Sequence, residues 1–196
     1  NELGVEYNQD AIGQEGGHSV PRYVFTKNGS GSGIVSKEIA YLEKLGVKVR
    51  TRTLVEHIFR DDEGRVLGVE VREGYRFPKA DSGKTKFIRA TKGVVLCYGG
   101  FSRDVDYRMM QDPKLVAKLD STNQPGATAG VLIKALGIGA APVQLCWLQF
   151  LPYCNPNEKG FGVSVNFTNH ACMDLGLVVD RKTGKRFMDE HAGRKI

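Results

Sequence analysis

The sequence predicts an α/β fold, and three stretches of its 196 residues carry that reading. A glycine-bounded amphipathic helix comes first. A run of short extended segments with hairpin turns follows, and a continuous apolar strand then ends in paired glycines. The helix opens from Gly29-Ser30-Gly31-Ser32-Gly33 and runs from about Ile34 to Leu45. Its apolar positions Ile34, Val35, Ile39, Leu42 and Leu45 fall near helical spacing, and Gly46 is placed to stop it. Ahead of it, residues 1–33 are rich in Gly, Asn and Ser, with one short strand expected at Tyr23-Val24-Phe25.

The extended segments are Val47-Lys48-Val49, Thr53 to Phe59 and Val66 to Val71, the last two joined by Asp61-Asp62-Glu63-Gly64. An Asp-rich turn closing on glycine between alternating apolar residues is a hairpin signal. Gly74 to Lys84 reads as a polar loop within this meander, and Phe87 to Ala90 leads out of it. Gly93-Val94-Val95-Leu96-Cys97 is apolar throughout, the pattern of a parallel strand buried on both faces, and it stops at Tyr98-Gly99-Gly100-Phe101. Residues 102–120 predict a charged helical excursion carrying Arg103, Asp104, Arg108, Lys114 and Lys118. Val131 to Leu136 predicts a short helix, and Val143 to Leu151 a strand broken by Gln144 and Gln149. Near the end, Val178-Val179-Asp180, a turn at Lys182-Thr183-Gly184 and a charged helical opening predict a hairpin that delivers Arg194.

Composition narrows the function classes. With 41% hydrophobic and 26% charged residues the chain is an ordinary globular sequence, and no apolar run is long enough to span a bilayer as a helix. The net charge of +6 is dispersed, with Arg50, Arg52, Arg60, Arg65 and Arg72 set among Glu56, Asp61, Asp62, Glu63 and Glu70. A nucleic-acid surface would cluster its charge, so no nucleic-acid partner is expected. Cys97, Cys146, Cys154 and Cys172 show no metal-type spacing, and Cys97 and Cys146 are expected as buried small residues. The opening at Asn1 and the close on Gly193-Arg194-Lys195-Ile196, where a helix should be starting, predict an internal stretch of a longer protein.

Two segments could carry chemistry. Where a parallel strand ends in Tyr98-Gly99-Gly100, the absence of Cβ atoms lets a phosphate, ribose or ring approach the backbone; a plain tight turn is the alternative. Ser121-Thr122-Asn123-Gln124-Pro125-Gly126 offers hydroxyl, amide and N–H donors to an anion or a flavin edge. A polar loop with an N-cap is the alternative there.

Taken together, these stretches resemble the flavin-dependent fumarate reductase and succinate dehydrogenase flavoprotein family, from about Gly16 to Arg194. Gly16-Gly17-His18-Ser19-Val20-Pro21-Arg22 is similar to that family's Gly-Gly-x-Ser-Val-Asn-Arg. Ser121 to Ala127 matches its flavin loop almost letter for letter, and Gly184-Lys185-Arg186-Phe187-Met188-Asp189-Glu190 keeps its Gly-x-Arg-Phe-x-x-Glu. The resemblance implies part of a two-dinucleotide-type, Rossmann-like FAD-binding domain with a β-meander over residues 1–145, and the start of an α+β capping domain over 146–196. It implies FAD contacts at Val55, Cys97, Tyr98, Gly99, Gly100, Thr122, Asn123, Gln124 and Gly126. Substrate contacts are implied at Thr168, Leu151 and Trp147, with no metal. Its chemistry is hydride transfer from N5 of the flavin to an activated C=C bond, with Arg194 protonating the neighbouring carbon and an electron donor recharging the flavin. An arginine acid serves only where the developing carbanion is a strong base, because its pKa is about 12 or more.

The departures shape the expected substrate. The family's Thr-Gly-Asp-Gly reads Thr128-Ala129-Gly130-Val131 here, without the aspartate. Its Gln-x-His-Pro reads Gln149-Phe150-Leu151-Pro152, with Leu151 where a histidine holds a carboxylate. Its Thr-Glu-x-x-Arg relay falls on Thr168-Asn169-His170-Ala171-Cys172. An unsaturated acid with one carboxylate and a more apolar remainder suits Leu151, Phe150 and Trp147 better than fumarate. Three rivals remain: a ketosteroid-type dehydrogenase using Tyr98, Tyr107 or Tyr153, a flavin-binding homologue without turnover, and a stretch inactive by itself for want of the first dinucleotide-binding strand and the C-terminal flavin segment.

Overall fold

The computed structural model describes residues 2–14, 17–151, 157–158, 160, 171, 176–190 and 192. Its contacts divide the chain into two compact units, Asn1–Val49 with Val163–Ile196, and Arg50–Gly162. Each is described by itself.

In the first unit, strand β1 (Tyr7–Gly13) pairs antiparallel with β2 (Tyr23–Thr26) across a register irregularity between Tyr7 and Ile12. β1 carries no apolar alternation and is held by its backbone partner, which is why the sequence pattern did not predict it. The expected strand at Tyr23–Phe25 is present as β2. Beyond β2 the Thr26 hydroxyl accepts from the Ser30 N–H at 3.0 Å, and the Asn28 side chain donates to Ser32 Oγ at 3.1 Å. This turn launches helix α1 (Ser32–Lys44), close to the predicted span. Later in the unit, Val179 bridges Arg186, and Asp180 closes the turn by accepting from the Lys182 and Thr183 N–H groups at 3.0 and 2.7 Å.

The second unit is built on the predicted meander. Strands β3 (Thr53–Arg60), β4 (Val66–Glu73) and β5 (Lys84–Arg89) pair antiparallel in that order. The turn between β3 and β4 is set by Asp61, whose side chain accepts from the Arg65 N–H at 2.7 Å. Val71 and Ile58 are buried. Helix α3 (Gly130–Gly137) lies against β3, and Arg60 at the end of β3 donates to the Ile138 carbonyl at 2.6 Å. Helix α2 (Val105–Gln111) occupies only part of the excursion expected over 102–120. Asp112 and Pro113 end it, since a residue preceding proline is pushed out of the α region.

Four expectations are corrected. Residues 93–97 form no strand: no backbone group from Gly93 to Gly100 is hydrogen-bonded among the described residues, and Val95 is 87% exposed. A parallel strand takes its hydrogen bonds from neighbours on both edges, and none of the described residues supplies one here. Val47–Val49 and the stretch 143–151 are likewise outside any strand. For the same reason Cys97 and Cys146 are exposed thiols rather than buried ones.

Candidate functional site

The two chemistry-bearing segments of the second unit meet. After Gly100 the chain turns through Phe101, whose ring packs edge-on against buried Tyr107 with centroids 4.9 Å apart. The next residue, Ser102, places its hydroxyl 2.6 Å from Ser121 Oγ, and the Asn123 side-chain amide donates to Ser102 Oγ at 2.6 Å. Arg103 continues the seam: its backbone N–H donates to the Ala127 carbonyl at 2.9 Å and its guanidinium to the Asn123 carbonyl at 2.8 Å. The other end of that guanidinium pairs with Asp120 at 2.5 Å. Asp120 also accepts from the Gly160 and Ser121 N–H groups, both at 2.8 Å. Those two donors and Arg103 hold its carboxyl below the usual aspartate range.

Asp104 joins the helix entries. One carboxylate oxygen accepts from Tyr107 N–H at 3.0 Å, capping α2, and the other accepts from Ala129 N–H at the start of α3, also at 3.0 Å. The sequence lacks an aspartate within Thr128–Val131, yet a carboxylate stands at this helix entrance, supplied from 25 residues upstream.

The resulting surface suits a flavin. Gly99 has φ of +79°, a left-handed conformation natural to glycine, and a Cβ at Gly99, Gly100 or Gly126 would meet nothing within 4 Å. The N–H groups of Thr122, Gln124 and Gly126 donate to nothing among the described residues. Open backbone donors on a Cβ-free edge are what a flavin ring or a phosphate needs to approach. The bonds of Ser102 thus tie the segment that follows Gly99-Gly100 to Ser121 and Asn123, while no contact among the described residues joins the two glycines themselves to Thr122, Gln124 or Gly126.

Other expected site residues are not joined to this seam by any contact among the described residues. Val55 lies in edge strand β3, opposite Val71. Cys97 and Tyr98 precede the glycines as open chain. Trp147, 71% exposed, and Leu151 are in no element. Thr168 and Arg194, with Tyr153, Asn169, His170 and Cys172, fall outside the described residues. Ser102 and Asp120 as site-builders are missed by sequence reading, which places Arg103, Asp104 and Arg108 in a charged helical excursion. An Asp ahead of an apolar helical start was a usable N-cap signal for Asp104.

The hairpin preceding Arg194 has its own anchor. Glu190, only 2% exposed, accepts from the Val178 N–H at 2.6 Å and from Arg186 Nη2 at 2.6 Å. The first of these, with Arg186, holds its carboxyl below the usual glutamate range. The Arg and Glu of the Gly-x-Arg-Phe-x-x-Glu pattern are therefore a structural pair.

Comparison with known proteins identifies the family. A family model described as FAD binding domain matches residues 2–196. The chain belongs to that family. FAD is accordingly its cofactor. It is 40% identical over 194 residues to the acrylate reductase flavoprotein subunit of Shewanella woodyi, covering 99% of this chain and 38% of that protein. It is 29% identical over 182 residues to the urocanate reductase of Eggerthella lenta, covering 92% and 28%. Among solved structures, the open conformation of a flavocytochrome c3 fumarate reductase superposes with a TM-score of 0.65 at 25% identity, covering 76% of this chain and 25% of that one. The chain thus spans well under half the length of these relatives.

Proposed function

We propose that the protein carrying this chain is an FAD-dependent oxidoreductase that reduces the C=C bond of an α,β-unsaturated acid other than fumarate. The observation that supports the reading is the seam through Ser102, Ser121 and Asn123, which ties the segment after Gly99-Gly100 to the loop that carries Thr122–Gly126. The acrylate and urocanate reductases point to the reaction. When bound, FAD supplies the hydride for the alkene.

The chain's own residues divide the remaining work. Thr122, Asn123, Gln124 and Gly126 hold the flavin edge, with Gly99 and Gly100 admitting it closely, and Cys97, Tyr98 and Val55 complete the cofactor contacts. Arg194 stabilises charge developing on the substrate and delivers the proton to the neighbouring carbon. Thr168 holds the carboxylate. Leu151 and Trp147 favour an apolar remainder, since a leucine offers nothing to a second carboxylate. In this reading residues 1–145 belong to the Rossmann-like FAD-binding domain and 146–196 begin the capping domain. That division follows the ligand each part faces, whereas the two compact units follow contacts within the chain. A separate electron donor completes the cycle.

The test is anaerobic reduction of the intact flavoprotein, then re-oxidation followed by absorbance against acrylate, urocanate, other monocarboxylic enoates and fumarate. Re-oxidation by a non-fumarate acid is expected, slowed about 10²- to 10⁴-fold in Arg194→Ala, the range of a lost general acid. Rapid turnover of fumarate alone would refute the substrate assignment, and no re-oxidation by any acid would refute the reductase.

A further inference from the structure

We propose that Arg108 is a positioning residue for the flavin, acting through Ser102 to fix the spacing of the two cofactor-facing segments; this rests on the FAD-binding reading above. Arg108 is 6% exposed and meets no carboxylate among the described residues. Its guanidinium instead donates to four backbone carbonyls. Nη1 reaches Ser102 at 2.8 Å, Nε reaches Leu115 at 2.9 Å, and Nη2 reaches Val116 at 2.7 Å and Leu119 at 2.5 Å. A buried cation is tolerated only when its polar atoms are paired, and each of the three guanidinium nitrogens is, so these four bonds are strongly directional constraints.

Where those carbonyls lie gives the residue its role. Ser102 is two residues beyond Gly100, at the exit of the glycine edge, while Leu119 is two residues before Ser121, at the entry of the amide-rich loop. One rigid planar fork therefore sets the distance between both segments. The Ser102 hydroxyl transmits that placement to Ser121 and Asn123. Lysine would keep the charge and lose the fork, so the exchange is not conservative here.

The test is FAD titration of the intact apoprotein, with the flavin's visible absorption band as a second readout. Variants are Arg108→Lys, Ser102→Ala, the double substitution, and Ile58→Ala as a destabilised control in the meander. Arg108→Lys is expected to weaken FAD binding about tenfold, the scale of one lost charge-assisted hydrogen bond, and to shift the flavin band. Ile58→Ala lowers the melting temperature and leaves both readouts unchanged. Ser102→Ala reproduces the weakening with little loss of stability, and the double variant binds no more weakly than Arg108→Lys, because both interrupt one path. Wild-type affinity and band in Arg108→Lys, or additive losses in the double variant, would overturn the proposal. Should Arg108→Lys fail to fold, Ser102→Ala decides it, and unchanged flavin binding there overturns it. Failure of the unsubstituted protein to bind FAD would instead overturn the flavoenzyme reading, and this inference with it.

Discussion

Glu190 shows how a buried carboxylate acquires both a place and a pH dependence. The Val178 N–H, then Arg186, favour its ionised form, so its folded-state pKa lies below the ordinary glutamate value. A carboxyl depressed on folding contributes stability that is complete above its unfolded pKa and is lost as pH falls through the lower folded value. The hairpin is therefore expected to hold at neutral pH and to loosen only below about pH 4.3. The Val178 amide chemical shift checks this: it should titrate with a midpoint below that value, and Glu190→Gln should remove the step. A midpoint at or above the ordinary value would show that the contact contributes nothing to folding. The Val178 bond is not legible in the sequence, since a carboxylate's preference for a backbone donor 12 residues away has no periodic signature. Arg108 is the same case in the other direction: its type suggests solvent, and only the carbonyls that surround it make it interior.

At the scale of elements, local pattern served well wherever neighbours in sequence are neighbours in space. The helix after Gly33, the meander and the short helix at Gly130–Gly137 were legible because their hydrogen bonds and turns are short-range. The meander's tightest point is Gly68, where a side chain would be driven into the Ile88 carbonyl of the neighbouring strand. Gly68→Ala is expected to cost about 1–3 kcal/mol, the range for overpacking, and urea unfolding of the protein measures it. Unchanged stability would mean that β5 shifts freely away from β4. Segments needing distant partners were misread, as with residues 93–97. Their composition states what a strand wants on both faces and cannot supply it. The candidate site was half legible: glycines and a polar loop announce themselves by composition, whereas the clasp joining them through Ser102, Arg103 and Asp120 depends on tertiary placement.

Across the described residues, apolar side chains that the expected fold would cover are open: Val95, Leu96, Val143, Trp147 and Phe150 in one unit, and Val35 and Ile39 along α1, with Leu45 just beyond it, in the other. Expressed by itself, the 196-residue polypeptide is expected to bind a hydrophobic dye strongly and to self-associate at micromolar concentration, checked by fluorescence and sedimentation. A monomer that leaves the dye dark would show that these surfaces are satisfied within the chain. The bare run from Gly93 to Gly100 also bears on the order in which the polypeptide acquires its shape during synthesis. The meander just before it closes through nearby residues and can fold as it emerges, while the run gains no backbone partner among the described residues. Throughout synthesis a sticky, strand-prone segment is in the open. Arg89 and Lys92 stand immediately ahead of it and the Gly99-Gly100 pair immediately after, charge on one side and broken β-propensity on the other. Such flanks discourage nascent chains from stacking on one another. The Gly99-Gly100 pair would then have an early duty during synthesis, keeping an open apolar run from finding the wrong partner.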